Sequence, residues 1–190
     1  MQKTTFFSGL ALASTLLLAA LPAQAQQLVA AQSSVEFTAK QMGVPLQGHF
    51  KKFDAQVAFD PAQLAASRIR FTVDTGSATM GARETDAELP KAPWFNVPQF
   101  PQATFESSAI KALGGGKFDV AGKLTIKGSA VNVSVPVTLV QSGANTTATG
   151  SLPIKRLAFK IGDGEWADTS MVADEVQVKF KLALTGVGKL

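Results

Sequence analysis

Cysteine and tyrosine are absent from the 190 residues, and histidine occurs once, at position 49. Without cysteine, neither disulfides nor a thiol nucleophile can hold or run the chain, and a zinc site of the usual Cys/His kind has no ligand set. A nucleophile–base arrangement would rest on His49 alone. Charge is also scarce, at 17% of residues with a formal net of +4, and it is spread along the chain. No basic patch for nucleic acid and no polybasic membrane segment stands out. Phenylalanine, at 13 residues, carries nearly all the aromatic content. Phe has no polar handle, so an interior built from it is dry.

The first 25 residues read as an export signal. Lys3 is the one charge before Glu36, the apolar run FFSGLALASTLLLAAL spans 6–21, and Pro22 precedes Ala23-Gln24-Ala25. A positive start, a short apolar core and an A-x-A site predict cleavage after Ala25. The core is shorter than the roughly 20 residues that cross a bilayer. The expected organisation is a signal peptide over 1–25 and one domain over 26–190, with no stable membrane insertion after cleavage.

Within that domain the dominant signal is period-2 alternation. Val35, Phe37 and Ala39 share a face, as do Val44, Leu46, Gly48 and Phe50. The parity slips at Lys51-Lys52 and resumes with Phe53, Ala55, Val57 and Phe59, which predicts a bulge or tight turn. Further runs centre on Phe71, on Phe105, on Phe118 to Ile126, on Val131 to Leu139, on Leu157 to Ile161 and on Val176 to Leu184. About eight antiparallel strands with one apolar face predict an all-β fold, either a closed barrel or a two-sheet sandwich. Helix is expected only over 81–89, with a turn of it at 61–67. The stretch KAPWFNVPQFPQATFES (91–107) packs three prolines beside Trp94, Phe95, Phe100 and Phe105. It predicts an irregular connection covering one end of the barrel, as a plug or as a lid.

Few residues offer chemistry. By parity His49 faces outward beside Gln47 and Lys51. Asp163, Glu165 and Asp168 in GDGEWAD present oxygens, but their spacing is not that of a calcium loop and a solvated connection explains them. Asp86 lies three residues after Arg83, which predicts a pair along a helix turn. The inward face, rich in Phe, Val, Leu and Ile with interspersed Ala, Gly and Ser, suits either a filled core or a small apolar pocket.

Four segments together carry a family resemblance: GHFKKFDAQVAFD, IRFTVDTGSATMGARETDAELPKAPWFNVPQFPQATFES, FDVAGKLTIKGSAVNVSVPVTL and IKRLAFKIGDGEWADTSMVADEVQVKFKLAL. In this order they resemble the YceI-like family of bacterial periplasmic, polyisoprenoid-binding, lipocalin-like proteins. The most specific run is Arg83, Asp86, Leu89, Phe95, Pro101, Phe105 and Ser107, followed by GKLTIKG. The resemblance implies an eight-stranded antiparallel lipocalin-like barrel in the periplasm, holding an apolar lipid of isoprenoid or quinone type. It implies no enzyme, no catalytic cofactor and no nucleic-acid partner; a homodimer is one arrangement it allows. The expected lining is Phe37, Phe71, Phe105, Leu124, Val135, Phe159, Val178 and Phe180, with Trp94, Phe95 and Phe100 closing one end. Many members carry an Asp-x-x-His-Ser pattern before the first strand and a histidine after it. Here Gln32 and Gln41-Met42 stand in those regions. The rival expectation is a ligand-free, filled barrel acting in envelope stress or through protein partners. Carboxylate catalysis by Asp86 or Asp163 ranks last.

Overall fold

A computed structural model describes residues 26–190, so the expected leader, 1–25, lies outside the described residues. Eleven strands form one antiparallel sheet: β1 (Gln27–Leu28), β2 (Ser34–Gln41), β3 (Val44–Phe50), β4 (Phe53–Ala58), β5 (Arg68–Asp74), β6 (Ala78–Thr79), β7 (Gln102–Gly114), β8 (Lys117–Ile126), β9 (Ser129–Ser142), β10 (Asn145–Lys155) and β11 (Glu175–Thr185). The strand order is β4-β5-β7-β8-β9-β10-β11-β2-β3-β6, with β1 added on β11. The count exceeds the expected eight partly because β1 and β6 are two-residue pieces.

The parity slip at Lys51-Lys52 proves to be a corner. β3 and β4 flank it in sequence yet stand near opposite ends of the strand order. Two residues cannot cross an open sheet, so the sheet must curl until its edges meet. The resulting seam has no β3–β4 ladder. It is stitched instead by Lys51 and Lys52, whose backbone N–H groups donate to the Ser77 carbonyl and hydroxyl. Towards the other end, Gln26 closes the wall by pairing its side-chain amide with the backbone of Phe59, donating at 2.6 Å and accepting at 3.0 Å.

Two expectations about elements fail for identifiable reasons. Leu157 to Ile161 is no strand: Arg156–Phe159 is a 3-10 turn, and the wall is built by β10, which reads as a polar loop. The inward residues of its first half are small, Thr146, Ala148 and Gly150, so hydrophobic alternation barely marks that half before Leu152 and Ile154. β7 also runs seven residues beyond Ser107. Ser107 pairs with Gly122 and Ala109 with Ala121, leaving Ser108 as a bulge that reverses the parity. Among the described residues the single α-helix, α1, covers Arg83–Glu88, and 61–67 forms turns without a helix.

Inward side chains form two clusters. Leu89, Phe95, Ile126, Ile154, Phe159 and Ile161 gather at one end; Phe59, Ile110, Phe118 and Val120 gather at the other, where the Phe59 and Phe118 rings meet edge-on at 5.2 Å. The barrel between them is not filled.

Candidate functional site

A cavity of about 590 Å³ runs through the barrel. That is within the range of sites that enclose a small organic ligand. It stands against the filled-barrel alternative, which leaves no such space. Three glycines explain part of the room. Gly48 lies beside Phe37 on the neighbouring strand, Gly150 beside Phe180, and Gly122 diagonally beside Phe105. A Cβ at any of the three would collide with the corresponding ring. Each ring therefore lies flat over a bare stretch of wall instead of projecting into the lumen.

Of the residues expected to line the barrel, Phe37, Phe71, Phe105, Leu124, Val135, Val178 and Phe180 do so, and Trp94 and Phe95 border the cavity at one end. Phe159 and Phe100 lie off its wall. Phe159, 1% exposed, is packed into the cluster of Leu89 and Phe95 because its segment is a turn and not a strand. Phe100 covers Gly128, where a Cβ would stand 2.9 Å from its ring.

The cavity opens at one end. Its solvent-exposed lining residues are Lys40 and Gln41 at the end of β2, and Glu84 and Glu88 on α1. Thr85, Trp94, Trp166 and Arg156 complete this rim, and the two indoles stand 5.6 Å apart. Around the opposite end the lining is Phe59, Ile110, Phe118, Leu139 and Val187, all apolar. An amphiphile is thus offered a dry interior and a polar mouth carrying both signs of charge.

The mouth is held by two buried cations that the alternation pattern gives no reason to single out. Arg156, 2% exposed, donates all five of its N–H bonds to carbonyls: Nε to Ala173, Nη1 to Ile161 and Gly162, Nη2 to Trp166 and Val172. Burial lowers its proton affinity and nearby Asp174 opposes that shift; arginine starts so high that it stays charged. With every donor used, it organises the 156–174 loop and has none left for a ligand. Lys127 donates to the carbonyls of Pro93 and Lys160 at 3.1 and 2.6 Å, with Asp163 3.6 Å away. Gly162 N–H also donates to the Pro93 carbonyl, and Thr75 binds the carbonyls of Phe100 and Pro101. Pinned at both ends, the segment 91–101 is a plug. The signal for these anchors would have been the irregular loops themselves, whose carbonyls need donors.

The carboxylates weighed as chemical groups serve local structure. Asp86 is not paired with Arg83 as expected: it accepts from Met80 N–H and the Thr79 hydroxyl, fastening α1 to β6. These two bonds, helped by Lys51 and His49, hold it below the usual carboxylate range. Asp168 is lowered by the side chain and backbone of Ser170. His49 is exposed on the outer face opposite Glu36. Among the described residues no three His, Asp or Glu side chains stand close enough to hold a metal.

The fold and cavity define a class: an all-β, lipocalin-like barrel wrapped around an apolar lumen. Residues 26–184 match the YceI-like domain, and the chain belongs to that family. A UPF0312 protein of Vibrio cholerae is 27% identical over 93% of this chain and all of its own length. One from Vibrio parahaemolyticus is 30% identical over 75% of this chain and 77% of its own. Among solved structures, BcnA of Burkholderia cenocepacia is 52% identical, with a TM-score of 0.79 over 82% of this chain and 98% of that one. A polyisoprenoid binding domain from Saccharophagus degradans, implicated in plant cell wall breakdown, shares the fold at 16% identity, with a TM-score of 0.70 over 85% of this chain and 98% of its own.

Proposed function

We propose that this protein is exported to the periplasm and carries or sequesters a long apolar lipid of isoprenoid or quinone type inside its barrel. The observation that supports it is the open apolar lumen with polar groups gathered at one mouth. A ligand enters tail first and leaves its polar head near Lys40, Gln41, Glu84 and Thr85. Each methylene moved out of water contributes about 0.8 kcal/mol, so the chain supplies the affinity and the mouth only orients it. Selectivity then follows length and bulk more than head-group chemistry. The polyisoprenoid binding described for the Saccharophagus domain agrees with this reading. The role is binding and not turnover, and no catalytic cofactor is required.

Trp94 and Trp166 are the two tryptophans of the chain and both border the cavity, while tyrosine is absent. Intrinsic emission therefore reports directly on occupancy. Solvent extraction of the native protein with mass spectrometry should yield a prenyl or long-chain lipid. Titrating the stripped protein with a polyprenyl alcohol should shift the emission saturably. Finding neither a lipid nor a shift would sink the proposal. Fractionation of the expressing cells checks the compartment.

A further inference from the structure

We propose that the apolar rim of Met42, Val44 and Met171 is a docking surface for a lipid bilayer, through which cargo passes directly between membrane and cavity. The proposal rests on the lipid-carrier reading above. Met42 is 68% exposed, Val44 59% and Met171 42%, and the backbone N–H of Met42 donates to the Met171 carbonyl at 2.8 Å. All three adjoin the mouth: Met42 follows Gln41, Val44 pairs with Gln41 across the strands, Met171 precedes Val172, and Gln41 and Val172 line the cavity and bridge to one another.

The backbone makes this exposure harder to dismiss. Met42 and Gly43 form the two-residue turn between β2 and β3, with φ of 50° and 80°. Both central positions of such a turn are left-handed, and the first favours Asn, Asp or Gly. A methionine there is strained, and its side chain stands in water. Three other non-glycine residues share a positive φ, and each has a local reason. Asn96 is of the favoured type, the Lys127 side chain anchors two loops, and the Lys160 carbonyl accepts that bond. Met42 likewise makes a backbone bond, to Met171, but its side chain stays 68% exposed.

A bilayer fits this rim better than water does. Flexible thioether side chains insert between head groups without demanding a fixed shape. A cargo that is insoluble in water also needs a path that never crosses it. Two exposed apolar residues at the other end, Leu113 and Val140, lie away from the mouth and provide the internal control.

The test loads the protein with an anthracene-labelled long-chain fatty acid and follows transfer to phosphatidylcholine vesicles carrying a quencher. Wild-type transfer should quicken with vesicle concentration, the mark of transfer by contact. Met42→Ser with Met171→Ser should slow it on the order of tenfold, leaving probe affinity and Tm unchanged, while Leu113→Ser with Val140→Ser should not. Met42→Asn suits the turn, so it should raise Tm and still slow transfer. A rate independent of vesicle concentration, equal rates in wild type and the Met42/Met171 variant, or equal slowing by the control pair overturns the proposal. So does self-association that the Met42/Met171 variant abolishes, since the rim would then seat a second copy. The carrier reading stands or falls separately, on the lipid extraction and polyprenyl titration above, even if the wild type binds no fatty-acid probe. Docking is then decided by co-sedimentation of the unloaded protein with the same vesicles, and equal sedimentation of wild type and variant overturns it.

Discussion

The two ends of this barrel are closed by opposite means. At the far end, Phe59, Ile110, Phe118 and Val120 close on one another, and Val187 completes the seal, its carbonyl held by the Gln141 side chain. At the mouth the chain is irregular: α1, the proline-rich plug and the 156–174 loop replace ladders. Their backbone groups need partners that a sheet would supply, and Arg156, Lys127, Thr75 and Asp86 provide them. The lesson is that the sealed end rests chiefly on apolar bulk, with the Gln26 and Gln141 side chains fastening only its chain ends. An opening requires loops, and buried loops require polar anchors.

The contrast can be broken most severely at Arg156. Arg156→Met leaves five carbonyls without their donors, and should lower stability by roughly 3–5 kcal/mol, read from denaturant melts. Arg156→Lys should recover little, having three donors and no planar fork. At the far end Phe118→Ala should cost about 3 kcal/mol, but here the loss comes from packing, so it should enlarge the lumen and leave probe binding intact. A ligand titration beside each melt separates the two ends.

Smaller changes sharpen the picture inside the barrel. Gly48→Ala or Gly150→Ala forces the Phe37 or Phe180 ring off its strand and into the cavity. Overpacking of that kind costs about 1–3 kcal/mol, and it should weaken long-chain binding more than it lowers Tm. Unchanged affinity in both variants would remove the glycine–phenylalanine account of the open lumen.

The smallest expected effect is that of acid on the mouth. Asp86 and Asp168 have folded-state proton affinities below the ordinary value, so each favours the folded state above its unfolded pKa. Their contribution disappears as pH falls through the lowered folded values, below the ordinary carboxylate range near pH 4. Acid should therefore loosen α1 and the 163–172 loop before the far end, and amide exchange measured segment by segment would show the order.

Much of the wall is legible from alternation because inward Phe, Val and Leu mark each strand against outward Lys, Glu and Gln. Legibility fails where the wall must be thin or bent. The first half of β10 is disguised by small Thr146, Ala148 and Gly150, and at Gly150 the Phe180 ring occupies the space a side chain would take. Ser108 hides the second half of β7 by reversing its parity. The site is legible in its aromatic lining, whereas the rim residues Lys40, Gln41, Glu84 and Thr85 are polar and look like ordinary surface. Asp86 looked like a helical partner for Arg83, and only the arrival of β6 redirected it.

The sequence by itself determined a dry, all-β interior, since period-2 apolar runs and an absence of cysteine leave the sheet as the means of burial. It also determined where regular structure stops, because three prolines in 91–101 cannot join a central ladder. Only the tertiary structure decided that the lumen stays open, that it opens at one end, and that an arginine holds that end together. Those depend on which ring faces which glycine and which carbonyl faces which donor. Such contacts between residues distant along the chain are written nowhere in local periodicity.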